Sequence, residues 1–166
     1  MTLWSYLWPA LAAALVVGLV TGIAAFRRTG RKRNKLLAIG LGVGIALALL
    51  WHGPLGGAHR FAAKVESDAR LTLDNYEMWK VTAHLQRGPL TRRLLLAGPA
   101  DDFQSSELVR IMGSLSGVSS ARWSSKGSGT PLILEGAGIA LLGYLLGLLV
   151  AYLIELRRRY NLQWNW

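Results

Sequence analysis

The chain contains no cysteine. That excludes a disulfide framework and any thiolate metal site. Histidine is scarce as well: His52, His59 and His84 are the only three. His52 and His59 lie in a glycine-rich stretch with no helix to bring them together. A metal centre, which needs converging ligands of fixed geometry, is therefore not expected. Acidic residues number 9 against 19 Lys and Arg, and the acidic pair Asp101-Asp102 reads as a helix cap. No nucleophile motif, phosphate loop or dinucleotide fingerprint is present. These absences predict a protein that is not an enzyme and holds no metal or cofactor.

What the chain does contain is long apolar runs, at 3–26, 36–51 and 132–156. A helix needs about 20 mostly apolar residues to cross a bilayer. The first and third runs meet that length, and the second is near its lower limit. A hydrophobic fraction of 52% agrees. No ionisable residue falls near the middle of a run; Glu135 and Glu155 sit at the two ends of the third. Charge inside a membrane marks transport paths, so its absence argues against a channel or transporter. The expected fold class is membrane α-helical, with three transmembrane helices and a small α/β extramembrane domain between helices 2 and 3. Residues 1–51 would hold two spans joined by a basic loop at 27–35. Residues 52–130 would form the domain with its glycine-rich linkers, and 131–166 the third span and a basic tail.

The net charge of +10 is unevenly spread. Arg27, Arg28, Arg31, Lys32, Arg33 and Lys35 form one cluster without an acid, and Arg157, Arg158 and Arg159 form another. The stretch 52–130 carries 10 basic and 7 acidic side chains. Nucleic-acid binding would concentrate charge in that domain, so no nucleic-acid partner is expected. Basic residues flanking spans mark the cytoplasmic side, and three passes put both clusters on one side. The N-terminus and the domain would then lie outside, and the C-terminus inside. No positive charge precedes the first run, as a cleaved signal peptide would require, so an uncleaved anchor is expected. Trp4, Trp8 and Trp51 would mark the outer interface and Trp164 and Trp166 the inner one, because indole rings favour headgroup layers.

Small residues recur in each span: Gly18 with Gly22, Gly40 with Gly44, and Gly136, Ala140, Gly143 and Gly147 as one stripe. Such stripes let helix backbones approach closely in lipid, where packing rather than water expulsion drives association. The sequence leaves open whether these faces pack within the chain or on another protein.

In the domain, 52–60 reads as a glycine-rich hinge. Residues 61–78 read as a helix with Phe61, Val65, Ala69, Thr72 and Tyr76 on one face. A strand follows at 79–86, with Trp79, Val81, Ala83 and Leu85 on its buried side, and Arg87-Gly88-Pro89 is turn chemistry. A second strand runs over 91–97 and breaks at Gly98-Pro99. Asp101 with Gln104 reads as a capping box, Leu108, Ile111, Met112 and Leu115 as the helix's apolar face, and Gly117 as its end. A third strand covers 118–123, and 124–130 is a flexible linker. Arg87, Arg92 and Arg93 gather around one hairpin, where they are candidates for contact with lipid headgroups or a partner.

The order α-β-β-α-β, with Leu94-Leu95-Leu96-Ala97-Gly98, a helix from Asp101 and Gly117-Val118 before the last strand, resembles a BON domain. The resemblance covers 61–123. It departs from the family in having one copy and no alanine-rich last helix. The layout of membrane helices around it resembles OmpA-family envelope proteins of Gram-negative bacteria, without their peptidoglycan-binding domain. The resemblance implies a non-enzymatic protein of the bacterial inner membrane whose periplasmic domain contacts membrane lipids or other integral membrane or periplasmic proteins. A second reading is an accessory or assembly subunit of a larger hetero-oligomeric membrane complex, an energy-transducing one included, docking through its glycine-rich helix faces.

Overall fold

A computed structural model of the protein describes residues 2–123 and 129–163. Among these, five helices and three strands follow in the order α1 (Leu3–Phe26), α2 (Gly30–His52), α3 (Gly57–Asn75), β1 (Thr82–Leu85), β2 (Arg93–Ala97), α4 (Asp102–Gly113), β3 (Ser120–Arg122) and α5 (Leu132–Gln163). Helices α1, α2 and α5 are each long and apolar enough to cross a membrane. At 1.5 Å per residue α1 is about 36 Å long and α5 about 48 Å.

The chain divides into two compact units. One comprises Leu7–Leu55 and the chain from Gly136 onward, and so holds most of the three long helices. Their contacts are made through small residues. Ala10, Ala14, Ala48, Ala140 and Tyr144 form its buried cluster, with Val17, Leu41, Trp51 and Leu148 packed against it. Tyr144 donates a 2.7 Å hydrogen bond from its hydroxyl to the carbonyl of Leu37, joining α5 to α2.

The other unit is Gly56–Glu135 with the first turn of α1. Its sheet has the order β1-β2-β3. Strands β1 and β2 are antiparallel, with Leu85 opposite Leu94, and β2 and β3 are parallel, with Leu94 opposite Ala121. Because side chains alternate along a strand, Ala83, Leu85, Leu94, Leu96 and Ala121 share one face, and all are buried. Helix α3 packs on β1, and α4 on β2 and β3. Phe61, Val65, Ala69 and Leu73 recur every four residues on α3 and complete the core with Leu108 and Met112 of α4. Gly117 has φ +94°, and a Cβ there would lie 3.1 Å from the Phe61 ring. A larger residue would push against that ring. At the other end of the core, Thr91 bridges to Pro131 and Leu132 donates its N–H to Leu90, tying the β1–β2 hairpin to the start of α5.

Several boundaries differ from the sequence reading. The 27–35 loop is only three residues long, because α2 begins at Gly30 and carries Arg31–Lys35 in its first turns. Nothing in Arg31–Lys35 breaks a helix, and the apolar count alone placed the start too late. Likewise α3 begins at Gly57 rather than 61, with Gly56 as its cap in a left-handed conformation, so 57–60 is helix and not hinge. The apolar face of α3 runs through Leu73, and Tyr76 is exposed past the helix end. Strand β1 starts at Thr82, so Trp79 lies in a turn and not on the buried face of a strand. Helix α4 ends at Gly113, four residues before Gly117. The basic residues 157–159 are within α5 rather than in a separate tail. The linker stretch 124–128, Trp164 and Trp166 lie outside the described residues.

Candidate functional site

The unit that holds the sheet carries an aromatic surface that the alternation of the sequence concealed. Helix α3 stops at Asn75, and Glu77 turns the chain with φ +58°. Arg70 then holds the turn in place. Its guanidinium pairs with Asp74 at 2.6 Å and donates to the carbonyls of Trp79 at 3.3 Å and Val81 at 3.2 Å. Gly98, at φ +146°, lets β2 end against the same turn: a Cβ there would lie 2.7 Å from the Lys80 carbonyl oxygen and 2.9 Å from the Val81 Cα. The turn is thus fixed from both sides, and it presents Trp79 outward at 69% exposure.

A groove of about 470 Å³ lies between Met78, Trp79, Val81 and Pro99. A second, of about 360 Å³, runs between Tyr76, Met78, Phe103 and Ile111, and Met78 lines both. Phe103 is 76% exposed on the first turn of α4. That turn is held by the Asp101–Gln104 capping box, in which Asp101 accepts from the Gln104 N–H at 2.7 Å and Gln104 accepts from the Asp101 N–H at 3.3 Å. The aromatic side chains therefore stand on anchored backbone, and clustered apolar exposure of this kind marks contact surfaces on soluble domains.

The charge around these grooves runs against the rest of the chain. Glu77 and Glu107 line them, and Asp74, Asp101 and Asp102 lie within two residues of their walls. Those are five of the chain's nine acids. Arg70 is engaged by Asp74, and Arg110 by Glu107 at 2.7 Å. The hydrogen bond from Arg110 holds the Glu107 carboxyl below its ordinary range, and Glu107 in turn raises Arg110. Of the positive side chains lining the grooves, Lys80 is left without an ion pair among the described residues.

The arginines singled out from sequence sit elsewhere. Arg87 makes a two-pronged contact with Glu66 at 2.9 and 3.0 Å, and the same carboxylate accepts from the Leu85 N–H. Arg92 pairs with Glu135 at 2.9 Å, and Arg93 lies in β2. Trp4 and Trp8 are 70% and 60% exposed, whereas Trp51 packs on the alanine cluster.

The glycines meet one another's helices. A Cβ on Gly18 would collide with the carbonyl oxygen of Tyr144, one on Gly143 with that of Leu11, and one on Gly147 with that of Leu15. Gly22 faces Ala151 and Gly40 faces Thr21, while Gly44 approaches Ala14 more loosely. Gly136 and Ala140 are also buried. Backbone thus meets backbone between α1 and α5, and α2 is seated on α1.

Tyr76, Met78, Trp79 and Phe103 escaped the sequence reading as a group. One trace was present. Phe103, Glu107 and Ile111 share a row at i, i+4 and i+8, which puts Phe103 at the polar edge of α4 and not in its buried stripe. No known protein family, curated protein or solved structure matches the chain.

Proposed function

We propose that the protein is a non-enzymatic, multi-pass protein of the bacterial inner membrane that displays a small BON-like domain in the periplasm to dock another envelope protein. The observation that carries this reading is the exposed aromatic surface of Tyr76, Trp79 and Phe103 around two grooves that share Met78. Tryptophan and tyrosine dominate binding hot spots because they remove much apolar area from water at small entropic cost. The acidic rim favours a protein partner over a lipid surface, since anionic leaflets attract basic segments and repel acidic ones. It equally disfavours pairing of the surface with its own copy, which would set acids against acids. The fitting partner presents apolar side chains flanked by Lys or Arg.

The membrane part of the proposal is supported by apolar area. Only 28%, 17% and 28% of the three apolar windows is buried within the chain. Val16, Val20, Ile39, Leu145, Leu149 and Leu153 are all more than half exposed. A helix apolar on all sides needs an apolar solvent. The glycine faces are largely occupied by the chain's own helices, which leaves the domain as the docking element and favours this reading over an accessory subunit docking through its spans.

Native mass spectrometry after gentle detergent extraction tests the proposal. The wild-type chain is expected with a stoichiometric heterologous protein, and the Trp79→Asp/Phe103→Asp variant without it. Both side chains are exposed, so the variant keeps its fold. A chain that emerges alone or self-associated, or a variant that keeps its partner, contradicts the reading.

A further inference from the structure

A second site lies among the ends of the long helices. A cavity of about 330 Å³ opens there, lined by Arg28, Thr29, Arg33, Tyr152, Glu155 and Arg159. Small-molecule sites span roughly 300–1,000 Å³, so it suits one compact group. Glu155 is its single acid, and that acid is fully engaged. Its side chain is 8% exposed and pairs with Arg158 at 3.1 Å, Arg159 at 3.2 Å and, more distantly, Arg27 at 3.9 Å. This carboxylate also holds Arg159 at the wall, where it donates to the Phe26 carbonyl at 3.1 Å.

Arg28 and Arg33 have no such partner. Neither guanidinium makes a hydrogen bond or ion pair among the described residues. Two unneutralised guanidinium groups therefore flank a cavity whose only negative charge is already balanced. Thr29, the N-cap of α2, makes no capping bond, which leaves the first N–H groups of that helix without a side-chain acceptor. Guanidinium groups bind phosphate oxygens in pairs.

The surroundings indicate where the phosphate comes from. A wider apolar groove of about 560 Å³ follows Leu153, Leu156 and Tyr160 along α5, and it shares Leu156 and Arg159 with the cavity. A polar pocket that continues into an apolar groove fits a headgroup and its acyl chains. We propose that this cavity binds the phosphate of an anionic phospholipid, with Arg28, Arg33 and Arg159 on its oxygens and the α5 groove along the chains. The proposal rests on the membrane reading above and is independent of the docking surface.

The test uses the full chain, delipidated in neutral detergent and titrated with phosphatidylglycerol, phosphatidylcholine and inorganic phosphate. Saturable binding of phosphatidylglycerol is expected, with phosphatidylcholine weaker. In Arg28→Gln/Arg33→Gln the affinity falls roughly tenfold or more, and Arg28→Lys/Arg33→Lys recovers part of it because charge returns without the paired geometry. Arg31→Gln/Lys35→Gln removes the same charge from the same segment outside the cavity and is expected to change binding less than about twofold. Tight binding of inorganic phosphate that displaces the lipid would reassign the site to a free phosphate, contradicting the lipid source. Equal loss in both double variants, or no loss in either, overturns the site itself. A chain that stays soluble without detergent would instead refute the membrane reading.

Discussion

Replacing Gly147 with leucine is expected to force α1 and α5 apart. A Cβ at this position would meet the carbonyl oxygen of Leu15, lie 2.7 Å from the Leu19 nitrogen and 3.0 Å from the Gly18 carbonyl carbon. All three neighbours are backbone, so no side chain can turn aside, and the helix axes must separate. Separation loosens the cluster of Ala10, Ala14, Ala140 and Tyr144 and strains the hydrogen bond from Tyr144 to Leu37. Overpacking costs about 1–3 kcal/mol, and a leucine against rigid backbone belongs at the upper end. For a chain of this size that corresponds to a melting temperature lowered by roughly 6–12 °C. Gly42 and Gly138 provide the control. A Cβ on either meets nothing within 4 Å, so leucine at those positions should leave the melt unchanged. Equal effects at 147 and 138 would mean that glycine acts through helix flexibility and not through contact.

The second large effect is expected in the other unit. Phe61 is fully buried, its ring 5.7 Å from that of Tyr6 and against Gly117. Phe61→Ala leaves a cavity at the centre of the α3 face, which costs about 3–5 kcal/mol. A small domain has only about 5–15 kcal/mol of stability in all, so most of its margin disappears. Hydrogen exchange should report faster exchange throughout α3, the sheet and α4, with α2 and the rest of the long helices little changed. The variant should also lose the partner expected at Trp79 and Phe103, since those side chains stand on the backbone that Phe61 helps to hold. Uniform loss of protection across both units would show that they unfold together, and unchanged protection would show that Phe61 is not central to the core.

The long helices were legible because length and apolarity are direct counts. Their glycine contacts were legible as a pattern but not as a destination: small residues four apart announce close approach, and only the fold shows that Gly18 and Gly147 meet each other's helices. The capping box at Asp101 and Gln104 was readable because both partners are local. The exposed aromatic surface was not. Trp79 falls in step with Val81, Ala83 and Leu85, so alternation alone buries it. What excludes it is the turn at Glu77 and the Arg70 clamp on the carbonyls of Trp79 and Val81, a contact across nine and eleven residues that no local period carries. The cavity at Arg28, Arg33 and Arg159 was hidden for a related reason. Residues over a hundred positions apart form it, and their charge reads in the sequence only as a topological marker.

The proposed topology has the domain outside the membrane and the basic helix ends inside. The natural lack of cysteine makes the test clean, since one introduced thiol is the only target. Ser106 is exposed on α4 and Asn34 is exposed on α2. With a membrane-impermeant maleimide on spheroplasts, Ser106→Cys is expected to label at once, and Asn34→Cys only after the membrane is permeabilised. Labelling of Asn34→Cys from outside, or protection of Ser106→Cys until permeabilisation, would contradict it.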